Sequence, residues 1–135
     1  MAYLLDTNIV TAQLKNNQKV KEKLGEVGNQ GEEVFISCLT YYEIKRGLLA
    51  VNASSKLSIF NQFCNEIRVL LLDDLQIIEK AAEIHADLRR KGTPTQDADI
   101  LIAATAIVKG LILVSNDTDM LRVANINIEN WLSLE

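Results

Sequence analysis

The stretch Asp97-Ala98-Asp99-Ile100-Leu101-Ile102-Ala103-Ala104-Thr105-Ala106-Ile107-Val108-Lys109-Gly110-Leu111-Ile112-Leu113-Val114-Ser115-Asn116-Asp117 holds both halves of an α/β unit. Acidic residues open an apolar, alanine-rich segment that predicts a helix over residues 95–109. Gly110 stops it, and Leu111-Ile112-Leu113-Val114 has the length and content of a buried strand. That strand ends in a polar turn carrying Asp117 and Asp119. The same device opens the chain, where Asp6 follows Tyr3-Leu4-Leu5. In an open α/β sheet, residues just past the carboxyl ends of the strands converge on one crevice. Carboxylates gathered there repel one another and lose solvation unless a divalent cation neutralises them, so the pattern points to an oxygen-ligand metal site.

Working outward from this unit, strands and helices alternate. Residues 2–5 predict a strand, and Asp6 or Thr7 caps a helix to about residue 16. A charged helix over residues 19–27 stops at Gly28-Asn29-Gln30-Gly31, and a strand over 34–37 leads into a helix over 39–49 that carries Glu43. A helix over 54–64 and a strand over 68–72 follow. Asp73 and Asp74 then open a long helix to Arg90, with Ile77, Ile78, Ala81, Ile84, His85 and Leu88 on one face. Gly92-Thr93-Pro94 breaks the chain before the quoted stretch, and Asn127-Ile128 is read as a last edge strand with Trp131 packed near the end. Strands separated by helices favour parallel pairing with right-handed crossovers, an α/β fold with a mainly parallel central sheet.

With 135 residues, 48% of them hydrophobic, the chain suits one domain spanning 1–135. No apolar run approaches the roughly 20 residues of a membrane span. The start Met1-Ala2-Tyr3-Leu4-Leu5-Asp6 lacks a basic, cleavable leader, so a cytoplasmic protein is expected. Cys38 and Cys64 are too few and too far apart for a disulfide framework or a zinc knuckle and read as small buried apolar residues. The net charge of −4 argues against gripping nucleic acid through a broad basic surface. It leaves room for local cations, of which Lys45-Arg46 and Arg89-Arg90-Lys91 are the groups available.

Each acid also has a plainer reading. Asp6 serves as a helix cap in any case, but its position after a buried strand favours a site role. Glu43 lies on a helix where an exposed carboxylate is ordinary, and Asp99 would complement a helix dipole. Asp97, two residues before Asp99, points away from it and is read as the cap. Asp117 and Asp119 share a turn, with Asp117 preferred as the fourth acid. His85 is the only histidine and has no partner at a ligand spacing, so zinc or histidine acid–base chemistry is not expected. Tyr41 and Tyr42 are read as core and rim rather than as base-stacking residues.

Leu4-Leu5-Asp6-Thr7-Asn8, Ser37, Tyr42-Glu43-Ile44 with Gly47, Lys91-Gly92-Thr93-Pro94, Asp99-Ile100-Leu101-Ile102-Ala103-Ala104, Val114-Ser115-Asn116-Asp117-Thr118-Asp119 and Ile128-Glu129-Asn130-Trp131 occur in this order over the whole chain. In that order and spacing the sequence resembles PIN-domain ribonucleases, and more narrowly the VapC-type toxins of toxin–antitoxin pairs. The resemblance implies a three-layer α/β fold, a homodimer, dependence on Mg²⁺ or Mn²⁺, endonucleolytic cleavage of RNA, and inhibition by a small antitoxin protein. Carried onto matching positions, it implies Asp6 and Asp99 as metal ligands. Glu43 and Asp117 would hold waters of the cation's shell and orient the attacking water, with Thr7 and Asn8 as hydroxyl and amide partners behind them. Met120-Leu121 departs from the family, which commonly has an aromatic residue there.

Three other readings compete with this one. A haloacid-dehalogenase phosphatase needs a second acid two residues after its strand-end Asp, where this chain has Asn8. A receiver module wants paired acids after its first strand, where Asp6 stands alone. The remaining alternative is a catalytically silent PIN-like interaction module, against which the intact Asp6, Glu43 and Asp99 argue.

Overall fold

Side-chain alternation along three short strands creates the layers of the molecule. The structure is a computed structural model that describes residues 1–133. Leu4, Phe35 and Leu113 turn to one side and join Ile77, Ile84, Leu88 and Ile102. Their neighbours Tyr3, Leu5, Ile36 and Val114 turn to the other and join Ile9, Val20, Phe60 and Trp131. Because both faces are covered, the strands read as continuous apolar runs rather than as alternating ones.

The elements are β1 (Ala2–Leu5), α1 (Thr7–Leu14), α2 (Gln18–Asn29), β2 (Glu33–Ser37), α3 (Cys38–Ala50), α4 (Ser54–Glu66), β3 (Arg68–Leu70), α5 (Leu75–Arg90), α6 (Asp97–Lys109), β4 (Ile112–Val114) and β5 (Ile128–Glu129). The five strands pair in the order β3-β2-β1-β4-β5, and each neighbour pair is parallel, with Leu5 opposite Ile36 on one side and Val114 on the other. Helices α5 and α6 supply residues to one core cluster, and α1 to α4 supply the other. The expected three-layer arrangement is what the chain adopts. From β1 the chain builds outward through β2 and β3, then returns to the far side of β1 with β4 and β5. The boundary between β1 and β4 is therefore the switch point at which a crevice opens beyond the carboxyl ends of the strands.

Several expectations need adjusting. Helix α5 starts at Leu75, with Asp74 accepting the Gln76 N–H at 2.9 Å as its cap. Its buried stripe is Ile77, Ala81, Ile84 and Leu88, whereas Ile78 and His85 lie on an exposed flank, because an i, i+4, i+7, i+11 stripe leaves i+1 and i+8 turned toward solvent. Gln96, not Asp97, occupies the N-cap of α6; Asp97 is the first helical residue and is exposed. Gly110 takes the left-handed conformation (φ 66°) that ends α6, as its sequence position requires. A 3₁₀ helix over Thr118–Arg122 was not foreseen. Cys38 and Cys64 are free and half-buried, less enclosed than expected. Trp131 is buried and stacks obliquely on Tyr3, with ring centroids 5.5 Å apart. Among the described residues no helix is long and apolar enough to cross a membrane.

Candidate active site

At the switch point, backbone pairing carries straight into side-chain pairing. The Asp6 N–H donates to the Val114 carbonyl at 2.9 Å, extending the β1–β4 ladder by one residue. Asp6 then caps α1, its Oδ1 accepting the Thr7 N–H at 2.8 Å, while Oδ2 accepts the Ser115 hydroxyl at 2.7 Å. Ser115 in turn accepts the Asp117 N–H at 3.0 Å. One buried hydroxyl thus ties the residue after β1 to the turn after β4. Asp117 Oδ1 accepts the Asp119 N–H at 2.9 Å and caps the 3₁₀ helix. The Asn8 carboxamide accepts the Asn116 N–H at 3.2 Å, a second tie between the same segments.

The remaining acids arrive on helices. Ser37 ends β2 and caps α3 by accepting the Leu39 N–H at 3.1 Å. In the second turn of α3, Glu43 Oε1 accepts the Thr7 hydroxyl at 3.3 Å, and Thr7 Oγ1 also lies 3.1 Å from the hydroxyl of Thr40. Thr40 is fully buried, so this contact anchors Thr7 to the α3 backbone side of the crevice. Asp99 stands in the first turn of α6. Helices α1, α3 and α6 all start at the carboxyl edge of the sheet, where their positive N-terminal ends partly offset the acids.

The electrostatics show which acids share the crevice. Burial raises the Asp99 carboxyl from its usual 3.8, and the negative charges of Asp6, Asp117, Glu43 and Asp119 raise it further, to about 6. Burial also raises Asp6, although the hydrogen bonds from Ser115 and Thr7 pull it back down while Asp117 and Glu43 push it up. A carboxyl raised on folding binds its proton more tightly in the folded than in the unfolded chain. Its contribution to stability is therefore complete below pH 3.8 and is lost as pH rises through about 6. In chelator, the melting temperature of Asp99→Asn should gain on that of the parent chain across this window and then level off. A difference that stays flat from pH 3.8 to 6 contradicts the assignment.

The sequence-derived set Asp6, Glu43, Asp99 and Asp117 is thus brought to one crevice from four separate segments. Asp119 is exposed and pairs with Arg122 at 3.3 Å, whereas Asp117 is half-buried and bonded to Ser115, so Asp117 is the inner member of that turn. His85 lies away from the crevice, on a shallow surface with Ile78, Ala82 and Asp97. Two residues of the site had been passed over. Ser115 is the first polar residue after the β4 run, and Thr40 stands three positions before Glu43 on a helix. Both signals are visible only once polar residues next to the acids are examined.

The donor chemistry suits a hard cation, since the gathered groups offer only oxygen. Each Asp6 oxygen accepts one hydrogen bond and retains a lone pair. Among the described residues no three His, Cys, Asp or Glu side chains are already drawn together to hold an ion. Mg²⁺ takes one or two carboxylates and keeps several waters, so it does not require a complete protein cage.

The family model described as "PIN domain" matches residues 3–126. The "tRNA(fMet)-specific endonuclease VapC" of Shigella flexneri is 32% identical over 134 residues, covering 97% of this chain and 98% of that protein. Among solved structures, DNA-bound VapBC from Salmonella typhimurium has a chain with a TM-score of 0.87 and 29% identity, covering 97% of this chain and 98% of that one. VapBC2 from Rickettsia felis, bound to a DNA fragment from its promoter, gives 0.86 and 26%, covering 97% and 99%.

Proposed function

The chain belongs to the PIN-domain family, among the VapC ribonucleases, and from that membership we propose that it is an Mg²⁺- or Mn²⁺-dependent endoribonuclease acting as the toxin of a toxin–antitoxin pair. The observation that carries the reading is the set of contacts that joins the acids: Ser115 ties Asp6 to the Asp117 turn, and Thr7 ties Asp6 to Glu43, with Asp99 close enough that burial and these acids raise its carboxyl to about 6.

Phosphodiester hydrolysis needs a water in line with the leaving oxygen and positive charge against the phosphoryl oxygens. The cation, when bound, supplies that charge and acidifies water. Asp6 and Asp99 would hold it. Asp6 is the rigid member, because Thr7 and Ser115 fix both of its oxygens. Glu43, steadied through Thr7 and Thr40, and Asp117, tied to Ser115, accept hydrogen bonds from the surrounding waters, and one of them orients the attacking water. Ser115 is a positioning residue: Ser115→Ala should reduce cleavage by about 10- to 100-fold, the usual cost of losing a partner behind a ligand. Ser115→Thr, which keeps the hydroxyl, should restore most of it. Equal activity in Ser115→Ala would remove Ser115 from the mechanism.

A small antitoxin encoded alongside is the proposed protein partner, inserting a basic side chain among the carboxylates. A second copy of this chain completes a homodimer. Transfer RNA is the first substrate to test, since the Shigella relative is described as specific for tRNA(fMet). Purified protein incubated with total transfer RNA and Mg²⁺ should give discrete fragments, and no fragment from transfer, ribosomal or messenger RNA would refute the reading.

A further inference from the structure

Two adjacent tyrosines on α3 have opposite fates. Tyr41 packs against Phe60, with ring centroids 5.6 Å apart, and its hydroxyl accepts from Lys45 Nζ at 2.8 Å, which occupies that lysine on the core side of the helix. Tyr42 is 59% exposed, and the Arg46 guanidinium sits over its ring, with Cζ 5.0 Å from the centroid. A single exposed aromatic is ordinary on a protein surface. What distinguishes this one is the guanidinium stacked on it and its position beside an acid of the crevice. Among the described residues Arg46 forms no ion pair, so its charge is not committed to a carboxylate.

Helical geometry sets Arg46 about 60° and Tyr42 about 100° around the axis from Glu43, both on the same side of it. Side chains on a helix lean toward its N-terminus, and α3 begins at the carboxyl edge of the sheet, so Tyr42 leans toward the edge at which the acids gather. A chain of net charge −4 that gathers Asp6, Glu43, Asp99 and Asp117 at its site repels a polyphosphate. Affinity must then come largely from contacts that do not depend on charge. Stacking of a base on an aromatic ring is such a contact, and a neighbouring guanidinium adds to it.

We infer that the Tyr42–Arg46 pair seats an unpaired base of the RNA next to the cleaved phosphate, which makes the substrate segment single-stranded or extruded from a helix. A base within a duplex has no free face to offer. The inference rests on the ribonuclease reading above. It accounts for an exposed ring that serves neither core cluster.

The test uses full-length Asp99→Asn protein, so that RNA is bound rather than cut, with a single-stranded oligoribonucleotide carrying 2-aminopurine and a duplex of the same length. Tyr42→Ala should weaken single-strand affinity about 5- to 100-fold and relieve the quenching of 2-aminopurine, with the salt slope unchanged. Tyr42→Phe should bind as the parent does. Arg46→Ala should weaken binding and also flatten the salt slope. In chains that retain Asp99, Tyr42→Ala should raise KM with little change in kcat. Unchanged single-strand affinity in both alanine variants overturns the assignment, as does an equal loss for the duplex. If RNA affinity is unchanged but the antitoxin expressed with the protein no longer co-purifies, the surface is a protein contact and the inference falls. Absence of cleavage by the parent chain refutes the ribonuclease reading itself, whereas a parental KM in both alanine variants refutes only the seat for the base.

Discussion

Asp6→Asn and Asp99→Asn should each abolish RNA cleavage while leaving the protein folded. The loss should exceed the about 10- to 100-fold that follows removal of a group behind a ligand, because here the ligand charge itself disappears. Folding should survive at both positions for specific reasons. An asparagine at position 6 still offers a carbonyl oxygen to the Thr7 N–H and keeps the cap of α1. At position 99 the amide relieves the repulsion that Asp6, Asp117 and Glu43 exert on a half-buried carboxylate, so stability should be kept or increased near neutral pH. Asp97→Asn is the control: it lies exposed at the first position of α6 and should change cleavage little. The check is a cleavage time course beside a thermal melt. Near-parental cleavage by a folded Asp6→Asn or Asp99→Asn protein would mean that the position holds no ligand.

Chelation should have an effect of the same size on the parent chain. EDTA should stop cleavage completely, and Mg²⁺ or Mn²⁺ should restore it. Zn²⁺ should not suffice, since the proposed ligands are carboxylate oxygens, the donors that suit Mg²⁺ and Mn²⁺. Chelation should also leave Asp99→Asn with a higher melting temperature than the parent above pH 6, and added Mg²⁺ should narrow that gap by neutralising the parent's carboxylates. Cleavage that persists in EDTA would remove metal from the mechanism and leave the convergence of acids without the role proposed for it.

Much of this is legible in the amino-acid order. Apolar runs flanked by acids announced β1 and β4, and Gly110 marked the end of α6 because only a left-handed residue fits there. Asp74, Asp6 and Ser37 were each at a position where a short polar side chain meets the first free N–H groups of a helix. Asp6 and Asp117 are nominated by their place after strands, Asp99 by its place at the head of an apolar helix, and Glu43 by its spacing from Ser37 and the Tyr42-Glu43-Ile44 context. Less legible were the details that depend on which side of an element faces what. Ile78 and His85 satisfied the helical period as well as Ile77 and Ile84 did, but the sheet lies against only one flank of α5. Asp97 has the residue type of a cap, yet the cap position falls one residue earlier, at Gln96, and Asp97 is already helical.

The sequence by itself determined the element types, their order and the residue chemistry, because each follows from neighbours a few positions away: side-chain period, caps, glycine stops and acids at strand ends. Tertiary structure alone decided which distant residues meet. The order β3-β2-β1-β4-β5 sets Ser115 against Asp6, 109 positions apart, and Thr7 against Glu43, 36 apart. It likewise decided that Tyr41 is enclosed and Tyr42 exposed. Those pairings arise from burying two apolar faces of one parallel sheet at once, a global requirement that no local window of the chain contains.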